Sequence, residues 1–326
     1  MSADHHGVSP PRAPRISDYA LLGDCQGAAL VSLSGSIDWW CPTRFDAPSV
    51  FARLLDPDGG HWSVRPIGQY EVKREYLDDT VVMRTQFSTP TGRLRLTDAL
   101  ALGAGEREHQ IGYRSPHAIL RFVEVVEGDV DVLMDFAPRP EYGLVTPQLE
   151  PTETGVVASG GRDRLVLTSD RPVDIRDGRV TARFSLREHD TVMLTLQHAA
   201  GVPEPLPEPL DGRSALTNAI EGWQSWADIH GRYDGPFAEQ VMRSALVLQA
   251  LTYQPTGAVV AAATTSLPEV PGGSANWDYR FAWLRDGSLA LKALWVAACP
   301  DEAARFFDWI ASVAGPTVHG GHVQIM

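Results

Sequence analysis

Residues 129–136 read Asp-Val-Asp-Val-Leu-Met-Asp-Phe. Val130, Val132, Met134 and Phe136 occupy every second position, with Asp129, Asp131, Leu133 and Asp135 between them. Side chains of an extended chain point alternately to opposite faces, so the pattern describes a strand with one dry face and one wet face. Val180, Ala182, Phe184 and Leu186 follow the same rule, as do Val192, Leu194 and Leu196. Turn signals punctuate the runs at Thr91-Gly92, Gly128-Asp129 and Asp177-Gly178. An Asp-Gly step suits a tight hairpin because both residues tolerate positive φ. Many short one-sided strands with such turns predict an antiparallel β-sandwich over residues 16–200.

The pattern stops on both sides of this block. Residues 1–15 are polar and rich in Pro and His, without the apolar core of a signal peptide, and predict a disordered tail. His5-His6 belongs to that solvated tail rather than to a metal site. Residues 201–235 predict a linker and a connecting helix. The prolines between Val202 and Pro209 cannot continue a sheet, and a helical pattern with Trp223 and Trp226 follows over 214–230.

From residue 236 the period is helical. Residues 237–253 place Phe237, Val241, Ala245, Leu248 and Leu251 on one face. A third helix is expected from about Gly287 to Ala298, apolar nearly all round with Lys292 as its charged residue, and therefore buried on most sides. A fourth runs from Asp301, a plausible N-cap, to Gly315-Pro316, with Phe306, Phe307, Ile310 and Val313 on its apolar face. The chain thus reads as a multidomain β + α protein whose helical part occupies 236–326. Apolar helices need partners, and few residues remain to supply them, so this part is expected to continue beyond Met326.

Bulk properties exclude several classes. A formal charge of −13, spread along the chain, repels both nucleic acid and anionic lipid. No stretch approaches the roughly 18 apolar residues of a membrane span. Three cysteines, Cys25, Cys41 and Cys299, form no CxxC pair and suit a reducing, cytoplasmic setting. No P-loop, Gly-x-Ser-x-Gly or Gly-x-Gly-x-x-Gly sequence occurs, and no cofactor is expected. His319-Gly-Gly-His322 sits among glycines and reads as a loop, so no metal is expected either.

Residues 276–286, Asn-Trp-Asp-Tyr-Arg-Phe-Ala-Trp-Leu-Arg-Asp, concentrate the chemistry. Sugars combine apolar C–H faces with a rim of hydroxyls, so their sites pair flat aromatic platforms with charged hydrogen-bonders. Arg contributes five donors in a fixed fork and Asp contributes acceptors, and together they can hold adjacent hydroxyls. A structural reading of the same residues is also open: Asp286 as a helix N-cap, Arg285 as its ion-pair partner, Trp277 and Trp283 as core aromatics.

This strip closely resembles the Asn-Trp-Asp-Tyr-Arg-Tyr-x-Trp-Leu-Arg-Asp signature of glycoside hydrolase family 15, the glucoamylase and trehalase-like enzymes. The resemblance covers nearly the whole chain. Residues 16–24, Ile-Ser-Asp-Tyr-Ala-Leu-Leu-Gly-Asp, look like the family's opening. Gly35-Ser-Ile-Asp-Trp-Trp-Cys41 and Arg44-Phe-Asp-Ala-Pro-Ser49 resemble its bacterial members. Pro255-Thr-Gly-Ala258 and Thr264-Thr-Ser-Leu-Pro-Glu269 lead into the signature. Two departures stand out: Phe281 where Tyr is commoner, and Ala275 where a basic residue is usual.

The resemblance implies an N-terminal antiparallel β super-sandwich followed by the first helices of an (α/α) six-hairpin toroid barrel. It implies hydrolysis of α-glucosidic bonds with inversion, trehalose and maltooligosaccharide both remaining open. It also implies that Tyr279, Trp283, Arg285 and Asp286 bind the non-reducing glucose, Arg285 and Asp286 gripping its distal hydroxyls. Inversion needs an acid and a base about 6.5–9.5 Å apart, and both family glutamates lie downstream of this chain. No catalytic residue is therefore assigned. Asp286 beside Arg285 makes a poor acid, and Glu269 reads as a structural or rim residue. The chain alone is expected to hydrolyse nothing. An inverting phosphorylase and a non-catalytic carbohydrate-binding or structural fragment are the competing readings.

Overall fold

The computed structural model describes residues 15–200, 206–230, 233–270, 272–297 and 299–314. The strands run β1 (Tyr19–Gly23), β2 (Ala28–Ser32), β3 (Ser36–Cys41), β4 (His61–Pro66), β5 (Glu71–Tyr76), β6 (Met83–Ser88) and β7 (Gly92–Leu100). They continue as β8 (Ala118–Ala137), β9 (Gln148–Pro151), β10 (Gly155–Gly160), β11 (Asp163–Ser169), β12 (Asp174–Arg176), β13 (Arg179–Arg187) and β14 (Thr191–Ala200). All pairings are antiparallel. One layer has the order β1-β2-β3-β4-β8-β13-β12, and the other β5-β6-β7-β8-β14-β11-β10-β9.

The long strand β8 belongs to both layers. Its first half lies between β7 and β14, and its second half between β4 and β13. The changeover is at Gly128, so Gly128-Asp129 is not the hairpin its sequence suggests. Gly128 takes a φ of 68°, and a side chain there would strike the Thr91 carbonyl. Only glycine fits such a corner. Asp177-Gly178, by contrast, is the two-residue hairpin between β12 and β13, with φ of 51° and 72°. Val130, Val132, Met134 and Phe136 are buried between the layers, with Asp129 and Asp131 on the wet side.

The β core also encloses a charge pair that alternation did not announce. Arg121 on β8 and Asp98 on β7 are both fully buried, 2.8 Å apart through Nε. The remaining Arg121 donors reach the Trp62 carbonyl at 2.7 Å and the Gly35 carbonyl at 2.7 Å. Each of the three guanidinium nitrogens has an oxygen partner, which is what allows a charge to stay inside a core.

Among the described residues, four helices follow: α1 (Gly212–Ile229), α2 (Ala238–Ala250), α3 (Leu284–Val296) and α4 (Pro300–Ala314). Asp211 caps α1 by accepting the backbone N–H groups of Arg213 and Ser214. Trp223 and Trp226 lie buried in a core shared by β-half residues, including Leu102, Ile111 and Met193, and by Ala245, Leu294 and Ala303 of the later helices. The connecting helix therefore glues the two halves together. Gly287 of α3 sits against the Phe306 ring of α4, where any side chain would collide.

Several helical expectations are corrected. α3 buries Gly287, Ala290 and Leu294, but Leu289, Trp295 and Val296 are exposed, because α2 and α4 cover one side of it. Phe307 and Val313 are exposed on α4, and Phe237 lies at the N-terminal edge of α2 with its ring in solvent. Asp301 is not the cap of α4: Pro300 takes the first helical position, where a missing N–H costs nothing, and Asp301 lies in the first turn. The three cysteines are free and buried. Among the described residues, no helix is long and apolar enough to cross a membrane. The tail with His5-His6, the segment 201–205 and His319-Gly-Gly-His322 lie outside the described residues.

Candidate functional site

The strip at 276–286 does not begin on the helical ring. Residues 275–281 run antiparallel to 261–269, held by backbone bonds from Ala261 to Phe281 (3.0 Å), from Ala262 to Tyr279 (2.8 Å) and from Glu269 to Ala275 (3.0 Å). The indole of Trp39, buried on β3, donates to the Ala263 carbonyl at 2.9 Å. A β-half tryptophan thus props up the segment that backs the strip.

Arg280 fastens the strip itself. Its guanidinium donates to Asp278 Oδ2 at 2.8 Å, to the Ala47 carbonyl at 2.9 Å and to the Tyr142 hydroxyl at 2.9 Å. It also reaches the Phe45 carbonyl at 3.2 Å and Cys41 Sγ at 3.6 Å. The aromatic segment Trp39–Phe51 therefore does two things: its rings pack in the core, and its carbonyls receive Arg280. Burial would raise the Asp278 pKa, but hydrogen bonds from the Arg280 side chain and backbone hold the carboxyl below its usual range. Burial pushes the Cys41 thiol up to about 12, against the lowering effect of Arg280. A thiol so placed is inert at neutral pH.

Past Phe281 the strip turns outward. Trp283 precedes α3 as its N-cap residue with extended backbone, and Asp286 lies in the first turn without capping any N–H. The N-cap reading of Asp286 is therefore set aside. The Tyr279 and Trp283 rings stand 5.4 Å apart, tilted by 36°. Arg285 pairs with Asp286 at 3.0 Å, and its guanidinium lies 5.8 Å from the Trp283 ring centre. Arg285 is 71% exposed and Asp286 37%. The Tyr279 hydroxyl donates to Glu269 Oε1 at 3.0 Å, and that hydrogen bond raises the phenol pKa.

The geometry joins the four sequence-selected residues, Tyr279, Trp283, Arg285 and Asp286, on one accessible face. Trp277 is exposed rather than a core aromatic. Sequence reading missed Arg280 and Tyr142 as the fastening pair. A signal for Arg280 existed in the Asp-x-Arg spacing. None existed for Tyr142, which arrives from a loop far away in the chain.

Comparison with known proteins gives the family of the chain. Residues 6–198 match the family described as "Trehalase-like, N-terminal". Residues 235–325 match "Glycosyl hydrolases family 15". The chain belongs to the trehalase-like glycoside hydrolases of family 15. Within that family, the Mycolicibacterium smegmatis protein named "Trehalase" is 36% identical over 335 residues, covering 96% of this chain and 49% of that protein. The Mycobacterium tuberculosis "Trehalase" is 35% identical, covering 96% and 48%. The Thermoplasma volcanium "Trehalase" is 32% identical, covering 90% and 46%. The chain spans about half the length of the curated relatives it matches.

Proposed function

We propose that this chain carries the glucose-gripping part of a glycoside hydrolase that cleaves α-glucosidic bonds, with trehalose as the substrate. One observation carries the reading. Arg285 and Asp286 present a paired donor fork and acceptor to solvent beside the Tyr279–Trp283 rings, while Arg280 anchors the same strip to the β half. An aromatic wall and a charged pair on a fixed support suit a sugar's C–H face and its adjacent hydroxyls. The names of the relatives favour trehalose over maltooligosaccharide.

The carboxylates of the strip support recognition and not chemistry. Asp286 pairs with Arg285, Asp278 with Arg280, and Glu269 accepts from Tyr279. Each carboxylate is already engaged by a partner, which favours recognition over acid–base work, and the 326-residue chain alone is proposed to be inactive. The mechanism by inversion, the glucoamylase-type barrel and a cytoplasmic location belong to this reading as proposals.

The test is trehalose and maltose hydrolysis by a full-length enzyme containing this chain, compared with its Arg285→Ala variant. The expected result is trehalose use weakened by about 10- to 100-fold with the fold retained. Unchanged kinetics on both sugars would remove the grip. Robust turnover by the isolated chain would overturn its assignment as a recognition part.

A further inference from the structure

The strip leaves unused a second cluster, deep in the seam between the halves. It joins three elements far apart in sequence. His109 sits in the 3-10 turn Glu108–Gln110 of the β half, His230 ends α1, and Glu302 opens α4. His109 Nδ1 lies 2.8 Å from Glu302 Oε1, and His230 Nε2 lies 2.9 Å from Glu302 Oε2. The two imidazoles are perpendicular, with ring centres 5.5 Å apart. Their near nitrogens and the carboxylate all fall within 4.8 Å of one another.

The far nitrogens decide how these groups can be occupied. His230 Nδ1 faces the Trp226 carbonyl at 2.6 Å, and a carbonyl only accepts, so Nδ1 carries a hydrogen. His109 Nε2 lies 3.3 Å from Asp301 Oδ2, within ion-pair reach but without a hydrogen bond between them. His230 is thus held with an N–H pointing away, and His109 Nδ1 and His230 Nε2 both converge on Glu302. Two arrangements satisfy the convergence. Either each near nitrogen carries a hydrogen donated to the carboxylate, or one divalent cation takes the place of both hydrogens. In the second, each histidine is neutral, and the far N–H of His230 rests on the Trp226 carbonyl, the arrangement that orients metal-ligating histidines. Trp226 Nε1 donates to Glu302 Oε1 at 3.1 Å and steadies the carboxylate in the same way.

We propose that His109 Nδ1, His230 Nε2 and Glu302 form a binding site for a divalent transition-metal ion of zinc's class, which staples α1 and α4 to the β half. Two imidazoles and a carboxylate are a donor set of intermediate softness, suited to zinc rather than to calcium or magnesium. Metal–ligand bonds of about 2.0–2.2 Å in a tetrahedral site separate ligand atoms by about 3.4 Å. The 2.8 and 2.9 Å contacts must open by about half an ångström, while the donor set as a whole, spanning up to 4.8 Å, must contract toward that spacing. Glu302 and His230 are almost wholly buried, whereas His109 is 35% exposed. The ion therefore enters from the His109 side, and water completes its shell there.

The experiment uses the whole 326-residue chain, tag-free, with His5 and His6 changed to Ala so that the tail does not compete. After exposure to zinc chloride and gel filtration, metal analysis is expected to find about one zinc ion per chain, and zinc is expected to raise the melting temperature. Glu302→Gln is expected to abolish binding. Because Glu302 is buried and that variant can fail to fold, His109→Asn provides the second arm, at a partly exposed position that leaves the His230–Glu302 pair intact. It is expected to fold with an unchanged far-ultraviolet spectrum, to bind zinc about tenfold or more weakly, and to lose most of the thermal shift. Substoichiometric zinc in the parent chain, or equal affinity and equal thermal shift in His109→Asn, would overturn the site and leave a proton-bridged ion pair. Neither result bears on the sugar strip.

Discussion

Arg280 and Arg285 each pair with an aspartate in the same short strip, and the surroundings of the two pairs could hardly differ more. Arg280 is 4% exposed and reaches two backbone carbonyls and a tyrosine hydroxyl of the β half besides Asp278. Arg285 is 71% exposed and, among the described contacts, meets Asp286 and the Trp283 face. A pair whose donors are all occupied is structural. A pair whose donors face solvent still has hydrogen bonds to give. The contrast separates the anchor of the strip from its working end.

The strongest way to break that distinction is at the anchor. Arg280→Ala leaves Asp278, two carbonyls and the Tyr142 hydroxyl without their donor. Removing one partner of such a buried network costs about 3 kcal/mol, and the urea midpoint is expected to fall accordingly at unchanged slope. A loss below about 1 kcal/mol would mean that the strip is held by its backbone pairing alone.

The working end should show the opposite profile. Arg285→Ala is expected to shift the stability of the chain by less than about 0.5 kcal/mol, because exposed pairs contribute little. In the full-length enzyme the same change should weaken trehalose use by about 10- to 100-fold, the worth of a charge-assisted hydrogen bond made to substrate. If stability falls as much as in Arg280→Ala, Arg285 is a second anchor and the comparison collapses.

Acid should test the anchor's aspartate, Asp278, without mutating either arginine. Burial alone would raise the Asp278 pKa, and hydrogen bonds from Arg280 together with its charge bring it below the usual range. A depressed folded pKa contributes stability above the unfolded value, about 3.9, and that contribution is lost as pH falls through the folded one. The stability gap between the parent and Asp278→Asn, measured by urea at a series of pH values, is therefore expected to be full at pH 7 and to close below about pH 4. A gap independent of pH would mean that the carboxylate charge is not what Arg280 holds.

How much of this was legible in the sequence follows from what each residue depends on. The β half was legible because its alternation is local: Val130 to Phe136 face the core for the same reason that they are spaced by two. Gly128 misled because glycine before aspartate signals a turn, while its corner in β8 is dictated by the Thr91 carbonyl on a neighbouring strand. Arg121 and Asp98 were invisible, since a buried charge pair depends on two strands meeting in register. In the helical half, the periodic residues were found, but not which of them are covered. Trp295 and Phe307 are apolar and exposed because their neighbours cover one side only. The strip was legible as chemistry, and its anchor was not, because Tyr142 and the carbonyls of Phe45 and Ala47 come from distant loops.

The smallest expected effect concerns Tyr279, which stands between anchor and working end. Its hydroxyl donates to Glu269, whereas its ring tilts against Trp283. If the ring is the platform and the hydroxyl only sets its angle, the two functions separate by substitution. Tyr279→Phe keeps the ring and loses one exposed hydrogen bond, so stability is expected to change by no more than about 0.5 kcal/mol. Trehalose KM in the full-length enzyme should move less than about twofold, because Trp283 and the backbone pairing of residue 279 still fix the ring plane. Tyr279→Ala removes the platform and should raise KM several-fold while leaving the Arg280 anchor, and hence the urea midpoint, nearly untouched. Should Tyr279→Phe prove as damaging as Tyr279→Ala, the hydroxyl and Glu269 would belong to the sugar's own hydrogen-bond network. The boundary between anchor and grip would then move from Phe281 back to Glu269.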